Sequence, residues 1–277
     1  VNAQINEEAL LKKISPPNAL TVTELKHLPG NLKNVFILKL HNQILDSKLL
    51  KPINEMSALM AISINNNSIS YLPNEFYNKP GLIYFGTTNN PIKNIPSEIS
   101  SWPQLQFLIL NKTKLDSLPT SLAYCQKLIA IEIENNSPDS LLKLPYSFGY
   151  LPNLQLLRIH NTPLDTLPRS IGELKNLQIL YLANCNLFRL PKSIGKLTHL
   201  KELDLSENKL EQLPESLYHL TNLETLILKN NPIKKLSPLI SKLQKLQLLD
   251  VAGTPITQKE LEEIQLLLPH CKIIHSF

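Results

Sequence analysis

The sequence predicts a solenoid of stacked coils, each built from one short strand and one connecting turn. Three observations carry that prediction. An eleven-residue template, LxxLxLxxNxL, recurs ten times in 277 residues. Seven of the nine intervals between copies are 23 residues, and the others are 24 and 26. The chain holds 21 prolines beside 7 glycines, against average usage of about 5% and 7%. Self-similarity at a fixed period marks stacked repeats, and proline without glycine marks rigid turns rather than flexible linkers.

Residues 1–34 form an N-terminal segment and cap. Val1-Asn2-Ala3 before Gln4 satisfies the small-residue rule for signal cleavage and predicts export, with a cytoplasmic protein as the alternative. Asn6-Glu7-Glu8 opens a short amphipathic helix to about Lys13, which Pro16-Pro17 ends. The Val22-Leu25-Leu28-Leu32 spacing then reads as a degenerate half-coil.

Residues 35–256 hold the ten units, starting at Val35, Leu59, Leu82, Leu105, Leu128, Leu154, Leu177, Leu200, Leu223 and Leu246. Strand side chains alternate between faces. The fourth and sixth positions (Leu180 and Leu182, Leu203 and Leu205) therefore point inward, and the third and fifth point out. The ninth position is mostly Asn or Thr (Asn67, Asn90, Thr113, Asn208), as a buried turn needs to satisfy backbone groups of adjacent coils. Unit three departs from the pattern, with Thr87 in an inward slot and Lys79-Pro80-Gly81 where a leucine should close the coil. Unit five carries an insertion around Ser137–Leu141. Residues 257–277 read as a cap: Thr257 and Glu260 fit a capping box, and Leu268, Cys271 and Ile273 take the first, fourth and sixth positions of an eleventh strand.

The phrasing LPxSIGxLxNLxxLxLxxN, matched by Leu167–Cys185 at every position but the last and repeated with variations in neighbouring units, resembles that of leucine-rich repeat proteins of the Leu-Pro type. Bacterial and Ras-group members share it. The resemblance implies an α/β leucine-rich repeat solenoid, a curved right-handed superhelix. A parallel concave sheet of about ten or eleven strands and short helical or extended convex segments are expected with it. It also implies a non-catalytic binding module.

Composition narrows the function further. The net charge is +5 and only three basic residues are Arg, so no nucleic-acid partner is expected. No apolar run of 18 residues exists, so no membrane span is expected. Phosphate loops, zinc motifs and nucleophile elbows are missing, so neither an enzyme nor a cofactor is predicted. The cysteines fall on Cys125, Cys185 and Cys271, several coils apart and too distant for a disulfide.

The outward strand positions carry the predicted site. Tyr84, Phe107, Ile109, Leu156, Ile179, Tyr181 and Ile227 form a broken apolar stripe across units three to nine. Glu132, Arg158 and Asp204 share its column, with an exposed Glu132–Arg158 pair expected. An apolar stripe with aromatic and Arg anchors suits a protein or peptide partner. The eighth position is mostly Asn (Asn42, Asn66, Asn89, Asn135, Asn161, Asn184, Asn230), which also suits an extended peptide or, alternatively, a glycan. His41 and His160 lie on the same face, five coils apart, too far to share a metal.

Overall fold

The computed structural model describes residues 5–135 and 141–276. One open parallel sheet of twelve strands runs the length of the chain in sequence order, with β1 (Leu20–Val22) and β12 (Lys272–Ile274) at its edges. The ten units supply β2 (Val35–His41), β3 (Ala61–Asn65), β4 (Tyr84–Thr88), β5 (Phe107–Thr113), β6 (Ala130–Asn135), β7 (Leu156–His160), β8 (Ile179–Tyr181), β9 (Glu202–Asp204), β10 (Thr225–Ile227) and β11 (Leu248–Asp250). Helix α1 (Glu7–Ile14) precedes the sheet, α2 (Ser47–Leu50) lies in the first unit, and α3 (Gln258–Leu267) precedes β12.

On the convex side each coil returns through a 3₁₀ turn, and proline sets where it starts. Pro73, Pro96, Pro119, Pro145, Pro168, Pro191 and Pro214 each cap one, and Pro238 opens the last. A fixed φ and a missing donor cost nothing at that position. The turns pack closely where glycine allows it. A Cβ at Gly149, Gly172 or Gly195 would run into the serine carbonyl of the next coil, at Ser170, Ser193 and Ser216 respectively.

Between sheet and turns lies the core: every inward leucine or isoleucine of the template is buried, from Leu38 and Leu40 to Leu249 and Val251. The asparagine ladder closes it as expected. Asn208 donates to the carbonyls of Leu182 (2.7 Å) and Leu205 (2.9 Å) and accepts from the backbone of Cys185 and Leu187. Asn90 and Asn231 do the same in their coils. Asn136 and most of the insertion, residues 137–140, lie outside the described residues, as do residues 1–4.

Unit three is filled by adaptation. Thr87 is fully buried and its hydroxyl accepts from the Asn90 amide at 3.0 Å. Lys79 lays its stem in the leucine slot and donates to the Ile53 carbonyl at 2.7 Å. Burial pushes its ammonium below the usual lysine range.

Two expectations about the ends need correction. The N-terminal half-coil forms a full strand, β1, with Val22 and Leu25 buried, so twelve strands replace the expected ten or eleven. At the other end the capping box on α3 is present, but Leu249 pairs with Ile273 and Asp250 with Ile274. Ile273 thus takes the fourth position, not the sixth. Leu268 and Cys271 instead follow α3 and plug the end of the core.

Candidate binding surface on the concave sheet

The fifth template position runs across the middle of the sheet in strict register. Gly86 pairs with Ile109, Ile109 with Glu132, Glu132 with Arg158, Arg158 with Tyr181 and Tyr181 with Asp204. The geometry brings the charged members together as one network. Arg158 Nη1 lies 3.4 Å from Glu132 Oε2, and its guanidinium sits 5.2 Å from the Tyr181 ring centre. Asn111 donates to Glu132 Oε1 at 2.7 Å. The Tyr181 hydroxyl donates to Glu202, and burial with that carboxylate pushes its ionisation upward. Asp204 accepts from the Ser206 backbone at 2.9 Å.

The exposed pair expected between Glu132 and Arg158 is in fact buried: the two side chains are 0% and 7% exposed. Parallel strands stand only about 4.8 Å apart, so large neighbours in register cover one another. Tyr181 and Asp204 are buried for the same reason, whereas Phe107, Leu156, Ile179 and Ile227 are half-buried.

Tyr84 and Ile109 depart further from the expected stripe. They are buried under α1, whose Leu11 packs against Ile37, Ala61, Tyr84 and Ile109. Gly86 makes room for this, since the Tyr84 ring folds flat over the space a Cβ would fill. The predicted stripe across units three to nine is therefore split. Its first part, with Phe107 packed at its border, is covered, and its open part runs from Leu156 through Ile179 to Ile227.

Beyond α1 a shallow depression of about 490 Å³ opens, lined by Lys112, Glu134, Arg158, His160, Tyr181, Asp204 and Glu207 among others. Several liners occupy the seventh and eighth positions. Strand alternation places the seventh beside the third and fifth, so the template itself holds the signal that would have found them. His160 is part-buried, 3.6 Å from Glu134, and His41 bonds to Ser63 and Asn65. Neither is freely solvated. Glu132 and Glu134 face basic and side-chain amide partners, and Asp204 a backbone amide. Among the described residues no cluster of three or more His, Cys, Asp or Glu could hold a metal.

The asparagine column at position eight has a backbone cause. Asn42, Asn66, Asn89, Asn161, Asn184 and Asn230 all have φ between 50° and 58°, as do Lys112 and Glu207 at the same position. Asparagine tolerates that left-handed conformation better than most residues. Its side chains then bond along the row, Asn89 to Asn66 at 2.8 Å and Asn184 to Asn161 at 3.0 Å. Asn135 differs: it serves the ladder of the preceding coil by bonding to Leu115.

A leucine-rich repeat family model matches residues 175–233 and 198–256, the stretch where template, ladder and 3₁₀ turns are most regular. The chain folds as a leucine-rich repeat solenoid. Solved structures agree on the fold of this leucine-rich repeat chain. An internalin (InlF) from Listeria monocytogenes is 21% identical over 89% of this chain and 68% of its own, with a TM-score of 0.72. The receptor in the TLR13–ssRNA13 complex is 23% identical over 93% of this chain and 40% of its own, at 0.76. A chain of the glycosylated Toll–Spatzle complex, described for Drosophila, is 26% identical over 86% of this chain and 33% of its own, at 0.69. The leucine-rich repeat protein thus spans less than half of each of these receptor chains. No curated protein sequence matches it significantly.

Proposed function

We propose that this leucine-rich repeat protein is a non-catalytic protein- or peptide-binding module whose working surface is the concave sheet of units five to nine. One observation carries the reading: beyond α1 the sheet leaves Leu156, Ile179 and Ile227 half-buried around a floor of ordered charged and aromatic side chains. Apolar side chains at the rim supply contact area, and the held carboxylates and Arg158 supply orientation. Arg158, Tyr181, Glu132 and Asp204 act as a pre-positioned floor. Leu156, Ile179 and Ile227 act as the contacts. The internalin and the receptors share the fold, and the Toll–Spatzle structure is a complex.

The test is a displayed random-peptide library panned on the protein, with the enriched peptides measured by calorimetry. Ile179→Asp should weaken them by at least about a hundredfold, the loss expected of a central contact, while leaving the thermal melt unchanged. Peptide affinity unmoved by Ile179→Asp would reject this surface. No enriched peptide beside a positive glycan array would favour the glycan alternative.

A further inference from the structure

The N-terminal helix has no role in closing the solenoid. The end of the core is closed by β1 with Val22 and Leu25, which belong to the main hydrophobic cluster. Helix α1 belongs to a second, separate cluster on the open face of the sheet, with Leu11 at its centre and Ile5, Leu10 and Ile14 partly buried around it. Its backbone bonds are its own turns and the Asn6 cap. Eight residues are too few to hold a helix alone in water, so the sheet face keeps it folded.

The face beneath α1 differs from the rest. Ile37, Ala61, Tyr84 and Ile109 are uncharged and buried, whereas from unit five onward the corresponding columns turn to Glu132, Arg158, Glu202 and Asp204. The helix matches that ground. Leu10, Leu11 and Ile14 lie over the aliphatic residues, and burial, with the Glu7 carboxylate one turn earlier nearby, pushes the ionisation of Tyr84 upward. Pro16-Pro17 separates α1 from β1, so the helix can leave without disturbing the strand.

We propose that α1 is a displaceable ligand carried in cis, covering an amphipathic-helix seat on units one to four. The fitting partner is a helix with a carboxylate one turn before a cluster of aliphatic residues. Its consequence rests on the concave-face reading: with α1 seated a ligand reaches only the open half of the sheet, and with α1 displaced it reaches both. A seat filled by a tethered segment is hidden from a free competitor in proportion to the tether's effective concentration, of millimolar order for a short linker.

A labelled peptide of residues 5–15 is the probe. Leu11→Glu in the full chain should vacate the seat. The peptide should bind that variant at least about tenfold more tightly than the unmodified chain, and adding Ile109→Asp should remove the binding. Equal affinity for both chains, or no binding to a folded Leu11→Glu chain, overturns the proposal. So does a Leu11→Glu chain that fails to fold, because α1 would then be part of the core. In the unmodified chain, hydrogen exchange of Ala9–Ser15 should be about a hundredfold or more faster than that of β4; equal protection overturns it independently. These readouts do not involve Ile179, so failure here and failure of the open-face reading are told apart.

Discussion

Arg158→Met tests the floor of the surface most sharply, because it removes one charge and keeps the aliphatic stem that lies against Tyr181. Glu132 is fully buried and holds two partners, Arg158 at 3.4 Å and the Asn111 amide at 2.7 Å. Without the guanidinium the carboxylate keeps one neutral donor and no counter-charge. Removing one partner of a buried pair costs about 3–5 kcal/mol, most of it the penalty of the stranded charge. In a chain of this size each kcal/mol moves the melting temperature by roughly 2–4 °C, so a fall on the order of 10 °C is expected. Adding Glu132→Gln removes the stranded charge and keeps an acceptor for Asn111. The double variant should therefore recover most of the loss. Melting followed by circular dichroism gives both numbers. A loss below about 1 kcal/mol for Arg158→Met, or a double variant worse than the single, would refute the claim that Glu132 is a buried, charge-paired group.

Gly172→Ala should destabilise by about 1–3 kcal/mol, as overpacking does, because its Cβ meets the Ser193 carbonyl of the next coil; Gly81→Ala, with its nearest neighbour at 3.5 Å, should be nearly neutral in the same melt. Glu207→Asn relieves a left-handed residue at φ 57° and should stabilise by about 0.5–1 kcal/mol, read as a higher denaturant midpoint. Burial pushes the Cys125 and Cys185 thiols up to about 12. They stay protonated in the fold while unfolded thiols ionise near 8.5–9, so this stability is complete below about pH 9 and is lost as pH rises toward 12. The double variant Cys125→Ala/Cys185→Ala should shallow the alkaline fall in stability by up to about 1.4 kcal/mol per pH unit for each thiol, and an unchanged slope counts against it.

The solenoid is legible in the sequence because its information is local and repeated. The inward leucines, the ladder residues and the prolines before each 3₁₀ turn each have one job, dictated by position in the coil. What the sequence hides is tertiary and unrepeated. The spacing of Leu10, Leu11 and Ile14 shows that α1 has an apolar face, but nothing in it says that the face lies on units one to four. Tyr84 and Ile109 therefore read as members of an open stripe that α1 in fact covers. The Glu132–Arg158 pair is correct in register but reads as exposed, because the shielding comes from Tyr181 and Asn111, on separate strands. At the C-terminus Leu268 and Cys271 satisfy the template by spacing, but the chain leaving α3 reaches the sheet two residues later, so Ile273 pairs with Leu249. The asparagine column at position eight suggests a row of side-chain donors and acceptors, whereas its cause is a left-handed backbone.

On the proposed function, ligands meet the concave sheet beyond α1. A photo-crosslinking residue, benzoylphenylalanine, placed at Ile179 on that face or at Tyr150 on a convex 3₁₀ turn tests it directly, using a peptide enriched on the unmodified protein. Tyr150 is the more exposed of the two positions, so access alone favours crosslinking there. A covalent adduct is expected from position 179 and none from position 150; an adduct from position 150 with none from position 179 would place the ligand off the concave sheet.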